Sequence, residues 1–265
     1  MKIGLTLSTG GARGIVHLAV LKALEKNNIN ISIVSGSSMG AVVGGLYCLG
    51  YSVSELENFV NSLTKKDVKK ILDFTIPTES LLKGEGAKEY LKHLFKNNTF
   101  SDLKIPFYPI STDLISGKQV VITDGYLWEA VYASSAIPGF FKPLKKNNMV
   151  LVDGGVTNPL PVNVIRHKVD FVIASRITPD YDALQPKGRF LPLYYALRSL
   201  SILETSLSEN ILEKSPVDYI FDFKGIIPFS IFAFDKGAEI LKITQPFVDS
   251  QLPGLLSKLS LCENS

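Results

Sequence analysis

The sequence predicts a three-layer α/β/α fold with a mostly parallel central sheet. In the first half of the chain, short apolar runs alternate with longer amphipathic stretches. Strands separated by helices need crossover connections, which place the helices on both faces of a parallel sheet. The chain has 265 residues and shows no internal repeat. We therefore expect one domain over residues 1–265, with a motif-bearing core at about residues 3–175 and a C-terminal extension at about 190–265.

The expected elements follow one another along the chain. Strands are expected at residues 2–8, 31–34, 107–112, 118–123, 149–152, 170–177 and 217–223. Helices are expected at residues 15–27, 39–49, from 55, 66–73, 86–96, 127–135, 191–214 and from 237. Gly50 is placed to end the second helix and Ser54 to begin the third, because glycine favours C-caps and serine favours N-caps. Two prolines and a glycine make residues 178–189 the expected linker or mobile loop.

The composition is that of an ordinary globular protein. Hydrophobic residues make up 46% of the chain and charged residues 20%, which matches average usage. The balance of 28 basic against 25 acidic residues leaves a net charge of +3. That charge is too small to indicate a nucleic-acid partner, and a basic stripe with interleaved aromatic residues is missing. We therefore expect no nucleic-acid binding.

The cysteines and the N-terminus indicate a compartment. Cys48 and Cys262 form neither a CxxC pair nor a Cys/His cluster, so no zinc site is expected, and reduced thiols fit the cytosol. The first residues lack the pattern of a signal peptide, and no run of about 18 apolar residues occurs. We expect a cytoplasmic protein and leave open peripheral contact with the inner face of the membrane. The sequence does not indicate an oligomeric state.

A GxSxG motif occupies residues 36–40, between an expected strand and an expected helix. Gly36 and Gly40 suit a sharp turn that leaves no room for side chains, and this turn would lift the hydroxyl of Ser38 off the sheet. The following helix begins at Met39 and would direct unpaired N–H groups toward the same point. A glycine-rich turn without chemistry is the alternative. The strand–turn–helix context favours Ser38 as a nucleophile.

A second glycine-rich segment, residues 10–14, follows the first strand. Its small residues would let backbone N–H groups point into one cavity, as an oxyanion hole requires. A dinucleotide site would need GxGxxG, but Thr9 stands where that motif has its first glycine, and Ser35 stands where it needs an acidic residue. A Walker phosphate loop is also missing, because no GxxxxGK[ST] occurs. The oxyanion interpretation is therefore favoured.

Asp153-Gly154-Gly155 follows the apolar strand expected at residues 149–152. An aspartate at the carboxyl end of a strand would lie at the edge of a parallel sheet where ligands bind. There it could accept the proton of a serine directly. A plain Asp-Gly-Gly turn is the alternative interpretation.

Only three histidines are available for a histidine-based triad. His17 lies on an expected buried helix, and His93 lies on a lysine-rich helix face. His167 follows Asp153, so the chain order of Ser38, Asp153 and His167 fits an α/β-hydrolase. His167 nevertheless falls at the end of a helix between two basic residues, where a solvated cap is its expected role.

The three motifs, in this order, resemble the patatin-like phospholipase family. Three further stretches agree: Ser111-Thr112-Asp113-Leu114 with Gly117-Lys118, Ala133-Ser134-Ser135-Ala136-Ile137-Pro138 with Phe141 and Pro143, and Asn158-Pro159-Leu160-Pro161. The resemblance covers roughly residues 3–175. It departs at Thr9, where many members have another glycine, and no motif covers the C-terminal extension.

The resemblance implies a Ser–Asp dyad that works without histidine. Ser38 would be the nucleophile and Asp153 its base. The oxyanion hole would be formed by N–H groups of the loop and of the following helix, at Gly10, Gly11, Ala12 and Met39. The residues expected to support these motifs are Arg13, Gly14, Gly36, Gly40, Gly154 and Gly155. No metal and no other cofactor is implied, because the loop acts as the electrophile.

The expected function is hydrolysis of fatty-acyl esters of phospholipids, lysophospholipids or related lipids, which would make the protein a carboxylic ester hydrolase with a lipid substrate. An acyltransferase that moves the acyl group to a thiol or alcohol is one alternative, and a non-catalytic lipid-binding regulator is another. Arg13 could steer a phosphate head group, or it could bind the loop to an acidic neighbour. Residues 226–234, rich in Phe and Ile, form either a buried part of the extension or an apolar lip beside Ser38.

Overall fold

The computed structural model describes residues 1–73, 80–179, 191–226 and 228–263. Within these ranges the chain forms eight strands and nine α-helices. The strands are β1 (Ile3–Leu7), β2 (Ile33–Ser37), β3 (Phe107–Asp113), β4 (Lys118–Val121), β5 (Leu144–Lys146), β6 (Met149–Asp153), β7 (Phe171–Arg176) and β8 (Tyr219–Asp222). The helices are α1 (Val16–Lys26), α2 (Met39–Leu49), α3 (Val53–Ser62), α4 (Lys65–Ile71), α5 (Glu85–Phe95), α6 (Leu127–Ser135), α7 (Val162–Ile165), α8 (Leu191–Lys214) and α9 (Gly237–Glu263).

The eight described strands form one sheet in the order β5-β6-β3-β2-β1-β7-β8, and β4 also pairs with β3. Five neighbouring strands run parallel to one another: β3, β2, β1, β7 and β8. At the β3 end, β4 and β6 pair antiparallel with β3, and β5 pairs antiparallel with β6. The mostly parallel sheet expected from the sequence is confirmed. The C-terminal strand β8 belongs to the same sheet, because it pairs with β7.

Hydrophobic clusters cover both faces of the sheet. On one face, α1, α2, α6 and α9 contribute to the larger cluster, in which Leu5 and Leu7 of β1 are fully buried. On the other face, α7 packs with β2 and β7, and Ile211 of α8 joins that cluster. Neighbouring residues of β2 divide between the clusters, with Ile33 in the smaller and Val34 in the larger, as side chains in a strand alternate. Two covered faces make the three layers that the sequence predicts.

Several boundaries differ from the expectation. The strand predicted at residues 31–34 is β2, which begins later and runs on through Ser37, because its last residues pair with β3. The third helix is capped by Ser52 instead of Ser54; Ser52 accepts from the Glu55 N–H, and the Glu55 carboxylate accepts from Ser52 in a capping box. Strand β5 was not predicted. It arises because Asn147 and Asn148 adopt positive φ angles in a two-residue hairpin turn.

The expected linker at residues 178–189 falls mainly outside the described residues, which resume at α8. No helix in the described part of the chain is both long enough and apolar enough to cross a membrane.

Gly40 provides a test of how closely α2 must approach β1. A Cβ at this position would come within 2.3 Å of the Leu7 carbonyl oxygen, a backbone atom that cannot swing away. At Gly44, one turn further along α2, a Cβ would meet side chains at 3.1 Å or more. We expect Gly40→Ala to lower the free energy of unfolding by about 1–3 kcal/mol more than Gly44→Ala. Urea denaturation measures both, and equal effects would contradict the close approach.

Candidate active site

Ser38 lies in the tight turn between β2 and α2. Its backbone angles, φ 55° and ψ −123°, belong to a strained conformation that non-glycine residues rarely adopt. The turn is closed by the flanking glycines, since a Cβ on Gly36 would lie 2.5 Å from the Gly40 carbonyl oxygen. Helix α6 holds the turn from outside: the Ser38 N–H donates to Ser134 Oγ (3.1 Å), and the Ser135 hydroxyl donates to the Ser38 carbonyl (3.3 Å).

Asp153 reaches the same place from the opposite direction. It is the last residue of β6, which pairs antiparallel with β3, so Asp153 lies near the carboxyl end of parallel β2 although its own strand is not one of the parallel strands. Its position instead results from register, because Ser111 of β3 pairs with Asp153 and the preceding Ile110 pairs with Ser37 of β2. The hairpin of β5 and β6 returns the chain to the sheet in this orientation.

Asp153 is 4% exposed, and one of its two carboxyl oxygens has a hydrogen-bond partner. Oδ1 accepts from the Gly155 N–H at 2.8 Å, and Oδ2 has no hydrogen-bond partner within the described residues. Burial raises the pKa of Asp153 to about 6, while the Ser38 hydroxyl and the Gly155 amide act in the opposite direction. The Ser38 hydroxyl is thus near the carboxylate, although the two form no hydrogen bond of normal geometry, which is common for a nucleophile and its base without substrate. A buried base with such a pKa is ionised at neutral pH and can still accept a proton.

The Gly10–Gly14 loop forms a 3-10 turn after β1, directly beside Ser38. Gly11 has a positive φ of 54° and lines the cavities at Ser38. The amides of Gly10, Gly11 and Met39 have no acceptor among the described residues. The Ala12 N–H, in contrast, donates to the Ile231 carbonyl at 2.8 Å. In this arrangement the Ala12 amide is therefore not directed at an oxyanion, unlike what the loop pattern suggested.

The remaining glycines and the Asn158–Pro161 segment hold these parts together. A Cβ on Gly14 would collide with the Met39 side chain at 2.4 Å, and one on Gly154 with the Ile110 carbonyl oxygen at 2.3 Å. The Pro159 carbonyl accepts from the Thr9 amide, and the Asn158 carbonyl accepts from the Ser37 hydroxyl. One short segment therefore anchors both the loop and the end of β2.

None of the three histidines lines either cavity at Ser38. The His17 ring is buried, with Nε2 2.9 Å from the Ser8 carbonyl and Nδ1 2.7 Å from Ser175 Oγ. Because a carbonyl only accepts, Nε2 carries the hydrogen and Nδ1 accepts from the Ser175 hydroxyl. Burial lowers the pKa of His17 to about 4, so the ring is a neutral link between β1 and β7. His93 and His167 are exposed and line neither cavity at Ser38.

Two cavities meet at Ser38. The first is almost entirely apolar and extends along α2 past Met39, Val42 and Leu46 toward α5. The second contains Asp153 and polar groups of α8, chiefly Arg198 and Glu204. Ile231 borders both cavities and separates them.

Residues 226–234, apart from residue 227, which lies outside the described residues, are neither a fully buried segment nor an exposed lip. Their side chains are largely half-buried; Phe232 packs on Phe140 with ring centroids 5.0 Å apart and, with Phe234, lines the apolar cavity. The position beside Ser38 agrees with the lip hypothesis, whereas the packing agrees with the alternative.

Glu204 is the residue at this site that sequence reasoning missed. It comes from α8, far along the chain, and is one of several charged residues on a long helix, so no sequence signal distinguished it. Its carboxylate accepts from the Thr9 hydroxyl at 3.3 Å. Arg13 stabilises the charged form of this carboxyl, which favours the role of Arg13 in binding the loop to an acidic neighbour. The described residues contain no group of three or more His, Cys, Asp or Glu that could hold a metal ion.

Replacing Asp153 by Asn should stabilise the protein at neutral pH. The folded-state pKa is raised from 3.8 to about 6, so the wild-type protein loses stability as the pH rises from about 4 through about 6. A shift of about two pKa units corresponds to about 3 kcal/mol in the free energy of unfolding, and the variant would not lose this stability. We expect the melting temperature of Asp153→Asn to exceed that of the wild type at pH 7 and the difference to shrink toward pH 4. A difference independent of pH would contradict the buried charge.

Comparison with known proteins gives sequence relatives with the same motif-bearing region. A family model described as Patatin-like phospholipase matches residues 5–165. An Uncharacterized NTE family protein of Mycobacterium bovis is 34% identical over 220 residues, which cover 80% of this chain and 61% of that protein. Patatin-like phospholipase domain-containing protein 7 of Rattus norvegicus is 36% identical over 170 residues, or 62% of this chain and 12% of that protein. The chain thus spans less than two thirds of the length of these relatives.

Solved structures share the fold at low identity. VipD from Legionella pneumophila superposes with a TM-score of 0.52 and 13% identity, over 96% of this chain and 67% of that one. Human GIVD cytosolic phospholipase A2, in complex with methyl gamma-linolenyl fluorophosphonate, gives a TM-score of 0.52 and 11% identity, over 98% of this chain and 58% of that one. At such identity the likeness concerns the fold alone.

Proposed function

The chain belongs to the patatin-like phospholipase family, and from this premise we propose that it hydrolyses fatty-acyl esters of lipids through Ser38 and Asp153. The observation that carries the proposal is the position of Ser38 at the junction of an apolar cavity and a polar one, beside a buried carboxylate with a raised pKa. An apolar cavity suits a fatty-acyl chain, and the polar one suits the rest of a phospholipid or lysophospholipid.

The reaction starts with proton transfer from the Ser38 hydroxyl to Oδ2 of Asp153, as the serine oxygen attacks the ester carbonyl carbon. The negative charge then moves to the former carbonyl oxygen. The amides of Gly10, Gly11 and Met39 are free to donate to it, and removal of one such donor typically costs about 2.7–4 kcal/mol. Asp153 returns the proton to the leaving alcohol, and an acyl-enzyme remains on Ser38.

Water then releases the fatty acid. Asp153, ionised again, takes a proton from a water molecule that attacks the acyl carbon, and the proton passes back to Ser38 as the acyl–oxygen bond breaks. An acyltransferase would use another acceptor in this step. That alternative, in the form that depends on a catalytic histidine, is not favoured, because the ring of His17 is held in two structural hydrogen bonds.

The dyad can be tested by single substitutions. We expect Ser38→Ala and Asp153→Asn each to lower kcat for a p-nitrophenyl ester by at least about a thousandfold, because the two residues act as one unit. His167→Ala serves as the matched control, since this exposed side chain should leave the rate unchanged. Release of free fatty acid, measured alongside, distinguishes hydrolysis from transfer. A severe loss in His167→Ala with a mild one in Asp153→Asn would show that the dyad is wrongly assigned.

The apolar cavity can be tested by shortening it. Val42 lies four residues beyond Ser38 on α2, or about 6 Å along the helix axis, whereas Leu46 lies about 12 Å away. An extended chain advances about 1.2 Å per bond, so the stretch to Leu46 holds about ten bonds. We expect Val42→Phe to keep hydrolysis of butyrate esters and to lower kcat/KM for dodecanoate esters at least about tenfold, with Val42→Ile as the control. Equal losses at every chain length would show that the acyl chain binds elsewhere.

Contact with a lipid surface is also proposed. The largely half-buried residues 229–234 of the 226–234 segment border the two cavities, so a lipid entering from a bilayer would pass them. Tyr195, Ile202 and Leu203 of α8 are exposed large apolar side chains on the helix that borders the polar cavity. Together these surfaces would let the protein dock on a membrane from one side.

A further inference from the structure

Glu204 is built into the polar cavity from outside the region that the family model matches. A Cβ on Gly155 would lie 2.3 Å from Glu204 Oε1 and 3.1 Å from Asp153 Oδ1. The two carboxyl groups are therefore close enough for their charges to interact, within the range of about 4–6 Å over which charges shift pKa values. Glycine at position 155 is what admits Glu204 this near to the catalytic aspartate.

The other oxygen of Glu204 reaches the oxyanion loop. Oε2 accepts from the hydroxyl of Thr9, the residue just before Gly10. Thr9 is itself buried, and its amide donates to the Pro159 carbonyl. One side chain thus contacts both the start of the loop and the surroundings of the catalytic aspartate.

The charged groups around Glu204 come from four elements. Asp153 approaches from β6 and Arg13 from the 3-10 turn after β1, while Arg198 of α8 borders the same cavity. Arg176 of β7 borders the small adjoining cavity and is paired with Asp222. Burial, and then the charge of Asp153, raise the pKa of Glu204 to about 8, whereas the Thr9 hydroxyl and Arg13 act in the opposite direction. At neutral pH the pair therefore carries one negative charge, on Asp153.

We propose that Glu204 is a positioning residue that supports hydrolysis only while it is protonated, and this inference rests on the proposed function. Glu204 accepts from Thr9 in either state, but only the neutral carboxyl leaves Asp153 as the single charge beside Ser38. When Glu204 ionises, a second negative charge faces the site where the oxyanion must form, and it opposes that charge. Glu204 itself forms and breaks no bond with the substrate.

The test is the pH dependence of kcat/KM for a soluble p-nitrophenyl ester between pH 5 and pH 9.5, with Ser38→Ala as the blank. For the wild type we expect a bell-shaped profile, rising through about pH 6 with Asp153 and falling roughly tenfold from pH 7.5 to pH 9. Glu204→Gln, which mimics the protonated state, should lose the alkaline fall. Glu209→Gln, an exposed position on the same helix, should keep it.

A second variant keeps the test decisive if Glu204→Gln does not fold, as judged by circular dichroism. Thr9→Val removes a hydrogen bond that lowers the pKa of Glu204, so the alkaline fall should move to higher pH. A fall that remains in Glu204→Gln, or stays in place in Thr9→Val, would overturn this proposal while leaving the dyad intact. Absence of Ser38-dependent hydrolysis in the wild type would instead overturn the proposed function.

Discussion

The register of β3 is the constraint on which the site depends. This strand has a parallel neighbour, β2, on one side and an antiparallel one, β6, on the other. Its consecutive residues Ile110 and Ser111 face Ser37 and Asp153. A slip of one residue on either side would turn every side chain of that strand to the opposite face. Backbone hydrogen bonds of the sheet therefore bring together Ser38 and Asp153, the proposed nucleophile and base, which share no hydrogen bond of normal geometry.

Close backbone packing makes this register possible. The turn at Ser38 brings the Gly36 and Gly40 backbones together, and α2 then approaches β1 at the Leu7 carbonyl. Asp153 is itself buried, and this burial raises its pKa to about 6. The raised pKa makes the carboxylate a better proton acceptor and costs the protein some stability at neutral pH.

The C-terminal part of the chain completes the cavities. Helix α8 brings Glu204 to Thr9 and Gly155, and the segment around Ile231 accepts the amide of Ala12. Both Glu204 and Ile231 lie outside the residues 5–165 matched by the family model. The Gly10–Gly14 loop and the preceding Thr9 are therefore held from both sides, by Pro159 within the matched region and by Ile231 and Glu204 outside it.

Local patterns in the sequence were sufficient for the strand–turn–helix around Ser38, the order of most elements and the mostly parallel sheet. Apolar periodicity and the conformational preferences of glycine act over a few residues, so both can be predicted from the sequence. Strand β5 and the direction of β6 depend on a hairpin. Its turn residues, Asn147 and Asn148, adopt positive φ angles, which were not predicted from the sequence. The engagement of Ala12 by Ile231 and the approach of Glu204 to Asp153 were decided by tertiary structure alone. These residues are about 50 to 220 positions apart in the chain. No local pattern encodes such contacts, nor the burial that shifts the pKa values of the two carboxyl groups.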